Sequence, residues 1–523
     1  MTTEAAESPA YLSHKQIVLV MVGVMSGMLL AALDQSIVGT ALPRITSELG
    51  GLDKLSWVVT AYLLTATAVT PLWGKISDLY GRRLIFQIAI SIFLVGSALC
   101  GFSQSIEQLI AFRALQGIGG GGLFSIALSI IGDVIPPRER GRYQGYFGAV
   151  FGVSSVAGPL LGGFFTDGPG WRWIFYINLP IGIAALFVTS AVLKMPVVKR
   201  EHRIDYLGAA AIVGAVSSLL LYLQWRGRDY GWAEPAAVAL LTAAVVLTAA
   251  FILIERRAVE PIIPMRLFSN PTFRIGNIFG FCAGVAMFGA IVFLPLYLQA
   301  VQGYSATGSG LAMLPAVLGI LSSSIIAGLL MSKTGRYKVF PVLGSALLVA
   351  ALLMMSTLAV DTPYWRVALF MLVFGVGLGM TMQTLVTAIQ NGVSPRDMGA
   401  ATGSTTFFRQ MGGAIGTAVF GAVLGSRLAL YLAERAGGAG LPAADSVDVN
   451  DVQAIQALDG PARDVVLSAF GDALGDMFLV GVPFLALAFV VSLFLREKPL
   501  KTGAEPPAVP ISPVEATPAT AHR

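Results

Sequence analysis

Three charged side chains fall inside long apolar runs of this chain: Asp34, Arg113 and Arg409. Asp34 lies about eight residues, or roughly 12 Å along a helix, from the end of a run that begins near Ile17. Glu107, Asp133, Asp167 and Asp476 stand only at or near the ends of such runs, so Asp34 is the one acid set deep. A carboxylate there costs a few kcal/mol or more and marks a functional site by default. Its natural chemistry is uptake and release of a proton; the alternative is a structural acid paired to a neighbouring helix. Arg113 and Arg409 are the cations that could neutralise it.

The elements that hold these groups follow from composition. The chain is 523 residues long, 55% hydrophobic and 12% charged, with mean hydropathy +0.76. Soluble domains carry about 25% charged residues, so this is an integral membrane protein. The net charge of +5 does not point to nucleic acid, because membrane proteins gather Lys and Arg in inner loops. Cys100 and Cys282 both lie within apolar runs far apart in sequence and read as small core residues. His14, His202 and His522 all lie outside the runs, which excludes a histidine relay or histidine-built metal site in the membrane. No metal and no cofactor is expected. Residues 1–16 lack a signal-peptide cleavage pattern, so the first run is expected to remain as a transmembrane helix.

A spanning helix needs about 20 apolar residues. Windows of that length give fourteen spans: 16–43, 55–74, 84–104, 107–132, 143–166, 172–194, 205–225, 236–255, 273–300, 307–331, 338–360, 364–390, 399–427 and 473–495. With the N-terminus inside, the inner loops hold Lys75, Arg82, Arg83, Arg140, Arg256, Arg257, Lys333 and Arg336 among others, and the outer loops far fewer cations. Both termini are therefore expected on the cytoplasmic side. Gly74–Arg83 after the second span and Gly328–Tyr337 after the tenth share a glycine followed seven residues later by Gly–Arg. These positions correspond if each half has six helices and two are inserted between them, a repeat pattern typical of transporters. The expected all-α membrane architecture is a six-helix bundle over 1–200, two inserted helices over 201–260 and a second bundle over 261–495. Residues 428–472 form an outer loop, with a short surface helix near 449–458, and 496–523 form a disordered cytoplasmic tail.

Gly74–Lys75–Ile76–Ser77–Asp78–Leu79–Tyr80–Gly81–Arg82–Arg83 resembles the loop signature between the second and third helices of the major facilitator superfamily. Its glycines suit tight turns, and its acid suits a helix N-terminus; Leu79 stands where the pattern often has a basic residue. Arg113–Ala114–Leu115–Gln116–Gly117–Ile118–Gly119–Gly120–Gly121 resembles the family's fourth-helix motif, whose arginine is associated with proton transfer. Arg113 lies at about the depth of Asp34, and the two could pair directly or through water. Gly158–Pro159–Leu160–Leu161–Gly162–Gly163 resembles the fifth-helix motif of the family's proton-coupled antiporters.

Trp171–Pro180 and Arg409–Gly416 further resemble the fourteen-helix drug:proton antiporter branch, the EmrB/QacA type. The tryptophans opening span six also read as an interfacial aromatic belt. Arg409, near the midplane, reads either as a clamp on helix carbonyls or as a cavity-lining group. Gln35, Phe288, Tyr297 and Phe408 are candidate cavity residues. The resemblance implies a multidrug efflux antiporter of the bacterial cytoplasmic membrane, associated with antibiotic resistance. It would work as a monomer on small amphipathic molecules and protons within the lipid bilayer; the acid at Asp34 leans its substrates towards cations, unless Arg113 and Arg409 neutralise it. Export of a lipid or metabolite, or proton-coupled import, are the alternatives. An enzyme is disfavoured: the sequence holds no Walker pattern and no membrane histidine for acyl transfer.

Overall fold

In the computed structural model, residues 14–49, 54–135, 137–192, 205–225, 234–439 and 460–500 are described, and these form helices and connecting turns. Lipid offers no partner for backbone amides, so an apolar chain in a membrane satisfies them internally as helix. The first group comprises α1 (His14–Leu49), α2 (Leu55–Tyr80), α3 (Arg82–Phe102), α4 (Ile106–Val134), α5 (Pro137–Asp167), the short α6 (Trp173–Tyr176) and α7 (Asn178–Val192). Next come the inserted pair, α8 (Tyr206–Trp225) and α9 (Pro235–Glu255). The second group is α10 (Pro271–Leu296), α11 (Ala306–Ala312), α12 (Leu314–Thr334), α13 (Val339–Met355), α14 (Tyr364–Gly392), α15 (Met398–Ala439) and α16 (Pro461–Leu493).

Among the described residues, twelve helical runs are long and apolar enough to cross a membrane. The expected second and eleventh spans fall outside that set. α13 is apolar but only 17 residues long. α2 is long enough but uses polar side chains to grip its neighbour: Thr65 donates to the Ala114 carbonyl at 2.8 Å and Trp73 to that of Ile118 at 2.7 Å.

Each half has its own apolar core. One is built from α1 to α5 and α7 around Phe86, Phe93, Phe147 and Ile130; the other from the second group around Tyr297, Phe374, Phe420 and Phe478. The halves meet where α2 and α4 touch α15, and where α5 runs along α12. The inserted pair lies across the α2–α15 seam, with Ala68, Ile212, Phe251, Ile263 and Phe407 in one cluster. At the corresponding ends of α2 and α12, Gly81 (φ 94°) and Gly335 (φ 70°) both take the positive φ that a side chain resists. Their ψ angles differ, 136° at Gly81 and 4° at Gly335, so the two repeated motifs share the glycine requirement but not the turn.

The chain departs from expectation in three places. Helix continues through much of the expected outer loop, to Ala439 and again from Pro461. The Ala- and Leu-rich stretch after Leu428 favours it, and Tyr431 donates to Asp476 at 2.7 Å across the two arms. Residues 496–500 are ordered rather than part of a tail: Tyr337 donates to the Arg496 carbonyl at 2.9 Å and Leu500 is buried. The proposed helix at 449–458, the 200/201 boundary and the tail from 501 onwards lie outside the described residues. The tryptophans of the expected belt split. Trp173 is exposed, but Trp171 is buried and donates to Glu48 at 2.9 Å. That bond, aided by Arg44 and Arg172, holds the Glu48 carboxyl below its ordinary range.

Candidate functional site

Asp34 sits on α1 with no solvent exposure, and both its oxygens are engaged. Arg113 of α4 donates from Nη1 to Oδ2 at 2.6 Å. Gln116, one helical turn along from Arg113, donates to Oδ1 at 2.8 Å, and Asn178 at the start of α7 donates to the same oxygen at 3.1 Å. The bonds extend outward through the side chains. Arg113 also reaches the Gln116 amide oxygen at 2.6 Å and the Val58 carbonyl at 3.2 Å. Asn178 reaches Ser97 at 3.0 Å, and Ser97 in turn donates to the Phe175 carbonyl at 2.8 Å. The Tyr62 ring lies 4.4 Å beneath the guanidinium. Two helices, α4 and α7, therefore supply three donors to one carboxylate on α1. A buried ion pair is tolerable only when its remaining hydrogen-bonding capacity is filled in this way. One group is left open beside it: the Asn178 Oδ1 atom is buried without a partner.

The turn of α1 that follows Asp34 is wedged against the span-five motif. A Cβ on Gly158 would collide with Ser36 and one on Gly162 with Thr40. Ser36 uses the approach to donate to the Ser154 carbonyl at 2.8 Å. The other face of the motif meets the opposite half, with Pro159 3.3 Å from the Cβ position of Gly310 and Gly163 near Thr307. This motif is therefore the piece of chain lying between the Asp34 turn and the second half.

At the far end of α2, the halves are latched. Asp78 accepts from the backbone amides of Gly399 at 3.0 Å and Ala400 at 2.9 Å, in the first turn of α15. A carboxylate there satisfies orphan amides and meets the positive end of the helix dipole. Arg82 pairs with Asp78, Asp133 (2.7 Å) and Ser77 (2.6 Å), while Gly74 packs backbone to backbone on Gly399. Arg83 is more peripheral and donates to the Ser190 carbonyl at 2.7 Å. Lys75 pairs with Glu260 at 2.5 Å and Arg266 with Asp397 at 2.7 Å, so the segment after α9 spans the same seam.

The family model described as Major Facilitator Superfamily matches residues 24–417. The chain belongs to this superfamily. Among relatives, a multidrug transporter protein, MdtP, of Bacillus subtilis is 38% identical, over 92% of this chain and 93% of that one. Multidrug resistance protein 3 of the same organism is 36% identical, covering 93% and 96%. An uncharacterized MFS-type transporter of Mycobacterium tuberculosis is 42% identical, covering 91% of this chain and 69% of that protein. The solved proton:xylose symporter XylE shares the fold, with TM-score 0.62 at 14% identity, over 94% and 98% of the two chains. The protein is thus a multi-pass membrane transporter of the superfamily, with multidrug efflux proteins among its homologues.

The remaining superfamily candidates are distributed unevenly. Gln35 is half-buried next to the ion pair. Phe288 packs on Gly413 of α15. Two others are not where a cavity residue would stand. Tyr297 is fully buried in the second core, its hydroxyl donating to the Ala359 carbonyl at 2.8 Å. Phe408 faces outward to Phe268 and Phe407, against the inserted pair. Arg409 is deep in α15 yet partly accessible, and among the described residues no acid and no hydrogen-bond acceptor meets its guanidinium. Gln116 and Asn178 were not singled out from sequence, although both lie within quoted motifs, one turn after Arg113 and two residues before Pro180. A polar amide in an otherwise apolar run was the available signal.

Proposed function

We propose that the protein is a proton-coupled antiporter that exports amphipathic small molecules across the cytoplasmic membrane, with both termini inside. The observation that carries this reading is the sealed Asp34–Arg113 pair, 2.6 Å apart and without exposure. Such a pair is bistable. Protonating Asp34 removes the charge that justifies the buried arginine, so Arg113 must find water or another anion, and helix positions must change. The open Asn178 Oδ1 suits both charge states. Its amide donates to the carboxylate, and on turning could accept from the carboxylic acid. Motion would pass from the Asp34 turn through Gly158 and Gly162 to the second half, while the Asp78 latch on α15 opens and closes the inner end. The named multidrug relatives support export over import, as does the span-five motif. Liposomes loaded with a pH dye test the coupling: adding a transported dye should move protons in the opposite direction, and Asp34→Asn should abolish the pH change. Proton movement that persists in Asp34→Asn contradicts the reading.

A further inference from the structure

The deep charges do not balance. Asp34 and Arg113 cancel each other at 2.6 Å, which leaves Arg409 as an unneutralised cation inside the bundle. Ionisable groups at such depth are paired with one another or face a substrate path, and among the described residues Arg409 has no partner.

A second polar side chain stands at the same depth. Gln390 of α14 donates to Thr402 of α15 at 3.3 Å, which fixes the register of these antiparallel helices. Seven residues along each, about 10 Å and two turns away on the same faces, stand Gln383 and Arg409. Gln383 is only 5% exposed, and its amide oxygen has no partner. With its oxygen unbonded, the amide loses no hydrogen bond there when it turns its NH2 group to a ligand. The location faces the other half: Gln390 also donates to the Leu128 carbonyl of α4 at 3.0 Å, and Thr70 of α2 donates to Gln410 at 3.2 Å. One turn beyond Arg409, the backbone of Phe281 lies on Gly412, and the ring of Phe288 lies on Gly413 and offers apolar surface.

We infer that Arg409, assisted by Gln383, receives a carboxylate carried by the transported amphipath, so that monoanionic molecules are preferred over their neutral or cationic analogues. A planar guanidinium binds carboxylate through two parallel hydrogen bonds, a single negative charge matches the single unpaired positive one, and the Phe288 ring takes the apolar body. This deepens the export reading by naming its substrate class. It also reverses the leaning towards cations, because the acid that suggested them is consumed by Arg113.

The test is equilibrium binding to the full chain in lipid nanodiscs, corrected with empty discs, using fluorescent pyrenebutyrate, its methyl ester and pyrenebutylamine. No gradient is applied, so the outcome is independent of proton coupling. Pyrenebutyrate should bind about tenfold or more tightly than the ester, the order expected of a hydrogen bond to a charged group, with the amine weakest. Arg409→Gln should erase the difference, Arg409→Lys should keep much of it, and Gln383→Ala should reduce it. Equal affinity of acid and ester for the wild-type protein overturns the inference whatever the variants do. Displacement of pyrenebutyrate by millimolar chloride together with equal ester binding would mark a site for free inorganic anions, and overturns it as well.

Discussion

The two halves of this transporter treat their buried charge in opposite ways. In the first, Asp34 is met by Arg113, Gln116 and Asn178, and nothing is left for a ligand to supply. In the second, Arg409 is held at depth with no counterion among the described residues. A closed pair can change only by gaining or losing a proton, whereas an open cation can change by binding something. In the proposed mechanism this contrast puts the ion-coupling step in one half and recognition in the other, although both halves place a positive-φ glycine at the corresponding helix end.

The largest effect should come from cutting the closed pair on one side. Arg113→Ala strands a buried carboxylate and should cost about 3–5 kcal/mol in stability, read as a lowered unfolding temperature. Adding Asp34→Asn should restore most of that loss, whereas Arg409→Gln combined with Asp34→Asn should be additive within about 0.5 kcal/mol. Coupling between Asp34 and Arg409 of the size seen for Arg113 would collapse the contrast.

A smaller effect is expected where the pair communicates. Gly158→Val places a side chain into Ser36 and should cost about 1–3 kcal/mol through overpacking, with transport reduced more strongly than protein yield. Unchanged transport would remove the span-five motif from the path. Comparable is Asp78→Ala, which uncaps α15 and takes one of two carboxylates from the buried Arg82, and should cost about 1–3 kcal/mol. Its readout is greater labelling of a cysteine introduced near Gly399, and unchanged labelling would make the latch ornamental. Glu260→Gln should do least, at most about 1 kcal/mol, because its pair with Lys75 is partly exposed.

Much of this was legible in the residues. The depth of Asp34 and the matching level of Arg113 follow from counting along helices, and Asp78 lies in a motif whose acid suits a helix N-terminus. What sequence could not carry was facing. Tyr297 and Phe408 look alike as aromatics within apolar runs, but the facing of their helices sends one into the core and the other to the inserted pair. Trp171 stands in the turn before α6 and Trp173 opens that helix, and they end buried and exposed. The partners Gln116 and Asn178 come from separate helices, and only the packing of α4 and α7 on α1 shows that their amides converge.

The most direct test of the account is accumulation by purified protein in proteoliposomes under an imposed pH gradient. Wild-type protein should concentrate a transported dye against its own gradient. Asp34→Asn protein should exchange dye downhill but not concentrate it. Uphill accumulation by Asp34→Asn at the wild-type level would contradict the assignment of the proton to Asp34, and with it the division of labour between the two halves.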